Sequence, residues 1–257
     1  ITAIYSKEYF MLLKEGQSKN ILTDYYENEL NIRFFHNDKF QEYLISENQL
    51  GLASEVKFPE FTIKIHKYAK NAALKQRQKL LDNAANILTR DYEIVALNSK
   101  KDPEQDLAMA NIEVIYKDPK ESKTFLIIAD ISNEELYTNE FQLSLRRKQT
   151  KIDFSINLEE FKHEMHPASW VSKNYTSKIS LLSEGDVLRY FITMNKPFRF
   201  KQYSFFQSSY QESEEGDISV LAVVENHGRV FPYIAAALFF IGLLVHLTQR
   251  LSRINRK

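Results

Sequence analysis

The sequence predicts a mainly antiparallel β domain followed by one C-terminal transmembrane helix, and three features support this prediction. Aromatic residues make up 13% of the 257 residues, while glycine and proline number only six each. Aromatic side chains are enriched in β-strands, where they pack on the pleated surface. Short alternations of apolar and polar residues recur along the chain, and the last apolar run is long enough to cross a bilayer. Short strands at this spacing are typical of a sandwich or an open barrel.

The first fifty residues are polar and aromatic, and no role can be assigned to them from sequence. Two stretches within them, residues 9–16 and 38–50, are compatible with helices. Residues 51–229 are predicted to form an extracytoplasmic β domain, either as one domain or as two modules, residues 51–130 and 131–229. Ten segments in this region have strand-like patterns. They are residues 58–68, 92–97, 112–116, 125–129, 141–146, 152–158, 178–182, 187–194, 203–207 and 218–224.

A similarity between two segments of the chain supports the interpretation of residues 51–229 as two modules. Residues 61–68, FTIKIHKY, parallel residues 154–161, FSINLEEF, with apolar residues at matching alternate positions. Any two amphipathic strands share such a pattern, so two readings stay open. Either the segments belong to two related β modules, or they are alike only because both are strands.

The final apolar run is predicted to span a membrane. Residues 230–249 contain no Asp, Glu, Lys or Arg, and four basic residues follow in the tail, residues 250–257. A helix of this length rises about 30 Å, the thickness of the hydrocarbon core. The positive-inside rule places the basic tail in the cytoplasm and the bulk of the chain on the periplasmic side of a bacterial inner membrane. The alternative is a buried helix of a soluble protein. Such a helix is rarely apolar on all sides and followed directly by four basic residues.

Composition excludes several functions. Lys plus Arg and Asp plus Glu both number 34, so the balance of charge does not predict a nucleic-acid surface. The chain has no cysteine, which rules out disulfides, thiol exchange and cysteine zinc sites. No nucleophile, base and orienting group can be named together, and no glycine-rich phosphate loop occurs. The sequence therefore predicts no self-contained active site and no catalytic residue.

The histidines are the candidates for binding chemistry. His163 and His166 are three residues apart, next to a proline, which is not the spacing of a helical metal site, so no metal site is predicted. His246 lies inside the apolar run, where ionisable groups are often functional. His227 lies just outside that run. Both are candidate haem ligands, and the alternatives are an interfacial role for His246 and a solvated loop for His227.

The stretch from residue 154 to residue 247 carries the most specific pattern. It contains FSINLEEFKHEMHP (154–167), KNYTSKISL (173–181), ITMNKPFRFKQYSFFQSSY (192–210) and a strand that leads directly into the apolar run. This order resembles the C-terminal part of the ResB (CcsB) family of cytochrome c biogenesis proteins. Two positions depart from the family pattern: Pro-Ala-Ser at 167–169 replaces Pro-Gly-Thr, and Gln202 replaces a glycine.

The resemblance implies a component of a system II cytochrome c assembly complex. Such a protein would hold or position apocytochrome c, haem or both on the outer face of the membrane, with a haem-handling membrane protein of the ResC/CcsA type as its partner. Haem would be bound by the complex, and the chain would be at most a subunit of a cytochrome c haem lyase. ResB-like proteins carry further membrane helices upstream, so this chain is expected to be a segment of a longer protein. The alternative is a membrane-anchored structural adaptor of another envelope complex.

The third element of this pattern also supplies candidate surface residues. Arg199, Lys201, Tyr203 and Tyr210 combine basic and aromatic groups, which suit haem propionates or an unfolded peptide. The alternative is a scaffold in which one set of rings packs inward and Gln207 and Ser208 bond to the backbone of a tight β crossing.

Overall fold

A computed structural model gives the structure and describes residues 6–36, 39–52, 55–115, 122–130, 141–165, 172–212 and 216–254. These residues are mainly antiparallel β, as predicted. In chain order the elements are β1 (Ser6–Lys14), β2 (Ser18–His36), β3 (Lys39–Ser46), α1 (Glu47–Gly51), β4 (Glu55–Lys57), β5 (Thr62–Ala69), β6 (Ala72–Gln76), α2 (Ile87–Asp91), β7 (Tyr92–Ala96), β8 (Met109–Ile115), β9 (Lys123–Ile128), β10 (Phe141–Met165), β11 (Ser172–Ser183), β12 (Asp186–Thr193), β13 (Phe198–Phe200), β14 (Tyr203–Gln211), β15 (Ile218–Asn226) and α3 (Phe231–Ile254).

The chain divides into two compact units. Residues 1–22 and 151–257 form one, called here the barrel unit, and residues 23–150 form the second unit. This division differs from the predicted modules, residues 51–130 and 131–229. A relationship between two such modules stays a prediction.

The barrel unit is built on one antiparallel sheet. Its strand order is β12-β11-β10-β2-β1-β15-β14-β13, so the first and last segments of the unit meet in the middle of the sheet. The sheet curls until its two ends nearly meet. The rings of Tyr190 on β12 and Phe198 on β13 are 4.4 Å apart between centroids. Of the two predicted architectures, the barrel is the one that forms.

The interior of the barrel unit follows from strand alternation. Phe154, Ile156 and Leu158 on β10 are all buried, and they pack with Phe205 on β14 and Leu221 on β15. Because successive side chains of a strand point to opposite faces, one alternating set per strand fills the interior. The predicted inward packing of one set of β14 rings is confirmed.

The second unit contains a four-stranded sheet of order β4-β5-β8-β9, a β6–β7 hairpin and the β2–β3 hairpin. Phe61, Ile63 and Ile65 are buried in its core, with Ile112 and Phe125 from β8 and β9. The alternation predicted in the two similar segments, residues 61–68 and 154–161, is therefore confirmed, because in each of them three alternate apolar residues face a core.

The helices considered for residues 9–16 and 38–50 are wrong for most of their length. Residues 9–14 belong to β1, which pairs with β15 from Ser6 opposite Asn226 to Lys14 opposite Ile218. Four successive apolar residues, FMLL, hide a period of two in which Tyr9, Met11 and Leu13 are buried. Residues 39–46 form β3, and only the end of the second stretch becomes α1, which starts with a Ser46–Gln49 capping box.

The predicted passage from a strand into the C-terminal apolar helix is confirmed. β15 ends at Asn226, a 3-10 turn covers His227–Val230, and α3 begins at Phe231. Residues 231–249 of α3 are long and apolar enough to cross a membrane, and none of them is buried in the protein. Exposure of so large an apolar surface is unfavourable in water and favourable in the hydrocarbon core of a bilayer. The last three residues of the predicted tail lie outside the described residues.

Candidate functional site

The four predicted surface residues lie on the β13–β14 hairpin. Arg199 is exposed on β13, and Lys201 occupies the turn with a left-handed backbone, at a φ of 50°. Lys201 forms an ion pair with Asp153 of β10, and its ammonium lies 5.6 Å from the centre of the Phe200 ring. These two cations therefore sit together at the end of the sheet from which α3 departs.

Tyr203 belongs to the core. Its side chain is only 6% exposed, and its ring packs 5.8 Å from that of Phe154 and 6.4 Å from that of Phe205. Burial and the nearby Glu225 carboxylate raise the pKa of the Tyr203 phenol above its ordinary value. Tyr203 therefore packs in the core on the inner side of the hairpin and exposes little surface to a ligand.

Tyr210 lies near the other end of β14, in an aromatic cluster. Its ring stacks on the imidazole of His163 at 4.7 Å, with an interplanar angle of 19°. Phe161 and Tyr175 lie within 6 Å of it, centroid to centroid. His163 Nδ1 is 3.6 Å from an Asp217 carboxylate oxygen, so protonated His163 forms an ion pair there. His166 lies outside the described residues.

The structure does not bring the four residues into one surface. Tyr203 is opposite Glu225 in the sheet, while Tyr210 is opposite Ser219. Seven residues of strand separate the two tyrosines, a distance of about 23 Å. Arg199 and Lys201 accompany Tyr203, and Tyr210 belongs to a separate cluster.

The Gln-Ser-Ser segment forms a β-bulge with a polar interior. The register of β14 against β15 shifts between Gln207 and Ser209, and Ser208 is exposed at the bulge. Gln207 turns inward and donates from Nε2 to the carbonyl of Ser209 at 3.0 Å. The predicted bond from Gln207 to the backbone is therefore present.

A buried hydrogen-bond network surrounds Gln207. Ser177 of β11 donates to Gln207 Oε1 at 2.6 Å and lies 2.8 Å from the hydroxyl of Ser219 on β15. β11 is not adjacent to β14 or β15 in the sheet, so these bonds cross the barrel interior. Sequence reasoning missed Ser177 and Ser219, because a serine inside an alternating strand gives no sign of which buried partner it will meet.

A second polar cluster lies where β15 meets the helix. Glu225, 13% exposed, accepts a hydrogen bond from the Tyr9 hydroxyl at 3.0 Å. His227 Nε2 lies 3.1 Å from the other oxygen of Glu225, and the His227 side chain is 65% exposed. Tyr9 and Glu225 were missed, because Tyr9 precedes its partner by 216 residues and no local pattern reports that pairing.

The geometry at His227 is compatible with one ligand to a metal. A carboxylate on one ring nitrogen orients the imidazole and leaves the other, Nδ1, available. His246 lies on α3, 19 residues further along, a helical rise of about 28 Å. These two histidines therefore cannot ligate the same iron. Within the described residues no group of three or more histidine or acidic side chains could hold a metal ion.

Among the described residues, His227 is an isolated candidate haem ligand. His227 offers a single imidazole on an open surface, and the described residues of the barrel unit place no second histidine beside it, since His163 lies at the Asp217 end of β15. A haem held at His227 would need its second ligand and most of its apolar contacts from elsewhere.

The second unit has a cleft of about 530 Å³ beside α1. Glu47 lines this cleft and accepts hydrogen bonds from the Tyr68 hydroxyl at 2.8 Å and from the backbone of Asn28 at 3.1 Å. Burial, followed by the bond to Glu47, raises the pKa of the Tyr68 phenol. Lys70 and Glu47 also form an ion pair, so the central groups of this cleft satisfy one another.

Comparison with known proteins agrees with the resemblance seen in the sequence. Residues 114–222 match the model of the ResB-like family. That region covers β9 to β14 and most of β15, and it ends nine residues before α3. It therefore includes most of the barrel unit's strands, with the bulge and its polar network.

A curated protein is also similar to this chain. Over 149 residues, 56% of this chain, the sequence is 29% identical to Protein NrfI of Wolinella succinogenes. The aligned region is 16% of the length of that protein, so the chain spans a small part of this relative. The similarity of this chain to the ResB-like family therefore lies in residues 114–222.

Proposed function

We propose that this chain is a component of a system II cytochrome c assembly complex and that it holds or positions apocytochrome c, with or without haem, at the outer face of the membrane. The observation that carries the proposal is the ResB-like match, about two thirds of which falls on the barrel unit, residues 151–222. That unit continues into a helix suited to a membrane. A cysteine-free domain fits this role, because it cannot form mixed disulfides with the paired thiols of apocytochrome c.

The charge pattern supports a specific orientation. Arg250 and Arg253 follow the uncharged stretch of α3, and by the positive-inside rule they favour the cytoplasmic side. The barrel unit then lies on the periplasmic side, where c-type haem is attached. His227 and Glu225 lie at the junction of strand and helix. In this orientation they are at the periplasmic surface of the inner membrane.

The partner in this proposal is a haem-handling membrane protein of the ResC/CcsA type. The match to the ResB-like family supports this choice of partner. The chain contributes positioning in this proposal, and no step of bond formation is assigned to its residues.

Deletion of the gene that encodes this chain tests the proposal. Covalently bound haem in membrane and periplasmic proteins should be lost on denaturing gels stained for haem, while b-type cytochromes, measured by reduced-minus-oxidised spectra, persist. Complementation with the intact gene should restore the stained bands. Normal c-type cytochromes in the deletion strain would instead favour a structural adaptor of another envelope complex.

A further inference from the structure

The end strand β12 has one open edge. It pairs with β11 along its whole length, from Ser183 opposite Asp186 to Thr176 opposite Thr193. In the part of the chain that the structure describes, no strand is hydrogen-bonded to its other side. Only its last residue is engaged there, through two hydrogen bonds between the backbones of Thr193 and Lys196 at 3.1 and 3.2 Å.

The turn that precedes β12 identifies which backbone groups face the open edge. Glu184 and Gly185 both have positive φ, 53° and 91°, as in the two-residue turns that join tight hairpins. In such a hairpin the residues flanking the turn form the first hydrogen-bonded pair, and every second residue then faces the partner strand. The N–H and C=O groups of Val187, Arg189 and Phe191 therefore point away from β11.

Exposed apolar side chains of β12 lie on both faces of the sheet. Val187 and Phe191 are 53% and 56% exposed on the outer face, and Leu188 and Tyr190 are exposed on the inner face beside the gap in the barrel. Proteins usually protect edge strands with charged side chains, proline, bulges or a covering segment. Between residues 186 and 191 the described edge has no lysine, proline or bulge and no strand paired to it, and its central charge, Arg189, forms an ion pair with Glu159.

The charges around β12 favour a partner with carboxylates. Glu159 of β10 accepts a hydrogen bond from Arg189 at 2.8 Å and lies 3.0 Å from Lys178, and these two bonds hold the pKa of Glu159 below its ordinary value. One carboxylate between two cations leaves a net positive charge. Lys196 and Arg199, both exposed, add positive charge in the segment that follows β12. The two acids of the hairpin, Glu184 and Asp186, lie at the turn, away from the middle of the strand.

The same charges disfavour a second copy of this chain as the partner. Antiparallel pairing of two β12 strands centred on Arg189 would place Arg189 directly opposite its counterpart. Like charges in that position destabilise a sheet.

We propose that β12 binds an extended segment of an unfolded polypeptide as an added antiparallel strand, and that this segment is apolar with at least one carboxylate. The backbone groups of Val187, Arg189 and Phe191 supply the affinity, and the exposed apolar side chains contact alternate residues of the guest. Recognition of this kind reads backbone more than sequence, so it suits a guest whose sequence varies. The inference rests on the proposed function in one respect, namely that the guest in the cell is apocytochrome c.

Val187→Pro is the variant that tests the edge. It removes an N–H that faces the open edge and blocks approach with a ring, yet it removes no hydrogen bond of the β11–β12 ladder. The residue before it, Asp186, is already in a strand, as a proline requires of its predecessor. Val187→Ala is the matched control, because it shortens the side chain and keeps the N–H. Unchanged far-UV circular dichroism confirms that both variants fold.

The probe is a fluorescein-labelled peptide that contains the Cys-x-x-Cys-His segment of a c-type cytochrome, with both cysteines replaced by serine. Two glutamate residues in the peptide supply the carboxylates that the proposal requires. Its anisotropy is followed with the intact chain in detergent. Val187→Pro should weaken binding about tenfold or more and Val187→Ala less than about threefold, the tenfold change corresponding to about 1.4 kcal/mol. A peptide N-methylated at alternate residues should bind as weakly to the wild type as the unmodified peptide binds to Val187→Pro.

Three outcomes would overturn the proposal. They are absence of peptide binding, equal binding by the wild type and Val187→Pro, and a concentration-dependent dimer of the wild type that Val187→Pro abolishes without any peptide binding. Cytochrome c yield separates this inference from the proposed function. Loss of c-type cytochromes on gene deletion but normal yield with Val187→Pro would refute the edge alone. Peptide binding at the edge of the purified protein, together with normal c-type cytochromes in the deletion strain, would refute the function alone.

Discussion

Gln207 shows how a single polar residue organises the barrel interior. Its amide connects Ser177 and Ser219 across the barrel and also binds the carbonyl of Ser209. Gln207→Ala should lower the free energy of unfolding by about 1–3 kcal/mol, because buried polar groups lose their partner. Urea unfolding followed by circular dichroism measures this.

Ser208→Ala is the matched control for Gln207→Ala. Ser208 lies in the same bulge, but its side chain is exposed, so the change should stay within about 0.5 kcal/mol. Equal losses for the two variants would contradict a network centred on Gln207.

Tyr203 provides a prediction that depends on pH. Because burial and Glu225 raise its pKa in the folded protein, the neutral phenol is favoured by folding. Its contribution to stability is fully present below the ordinary pKa of about 10 and is lost as the pH rises through the higher folded value. The absorbance titration of the wild type minus that of Tyr203→Phe should show one phenol ionising above the ordinary range. Ionisation at the ordinary value would place Tyr203 in water.

At the scale of elements, α3 carries the prediction on orientation. Protease added outside spheroplasts should digest the region before the helix and leave the basic tail protected, because the positive-inside rule keeps the tail in the cytoplasm. Antibodies against a tag at each end report the result. A tail that is cleaved from outside would reverse the orientation.

His246 on the same helix separates a structural role from a haem-binding role. We expect His246→Ala to leave haem content and cytochrome c yield unchanged, because this histidine lies one turn before Arg250, where the helix approaches the interface. The control is His227→Ala, which removes the imidazole next to Glu225. Loss of haem from His246→Ala, restored in part by added imidazole, would show that His246 is an axial ligand.

The strands show what sequence could and could not predict at this scale. β14 and β15 were predicted because YSFFQ and ISVLAVV are short runs rich in aromatic or β-branched residues that lie between more polar segments. β1 was missed because Phe10 and Leu12 fill the positions that would normally be polar, so its period of two is hidden. Its pairing with β15 depends on contacts across more than two hundred residues, and no local pattern encodes these.

At the scale of the whole molecule, the β13–β14 hairpin could be recognised from the sequence, but the positions of its side chains relative to one another could not. Arg199, Lys201, Tyr203 and Tyr210 fall within 12 residues of one another and read as one surface. A strand separates its two ends by its own length, so Tyr203 and Tyr210 enter different environments. The open edge of β12 was also invisible, because only the sheet order shows which strand is last.

The central claim is that this chain acts directly on apocytochrome c, and its most direct test is capture of that substrate. In cells blocked in haem synthesis, apocytochrome c cannot receive haem and stays in its substrate form. Purification of the tagged, intact protein from such cells after mild crosslinking should enrich apocytochrome c, detected by antibody, over an unrelated periplasmic protein of similar abundance. Recovery of the partner membrane protein with no enrichment of apocytochrome c would contradict the account.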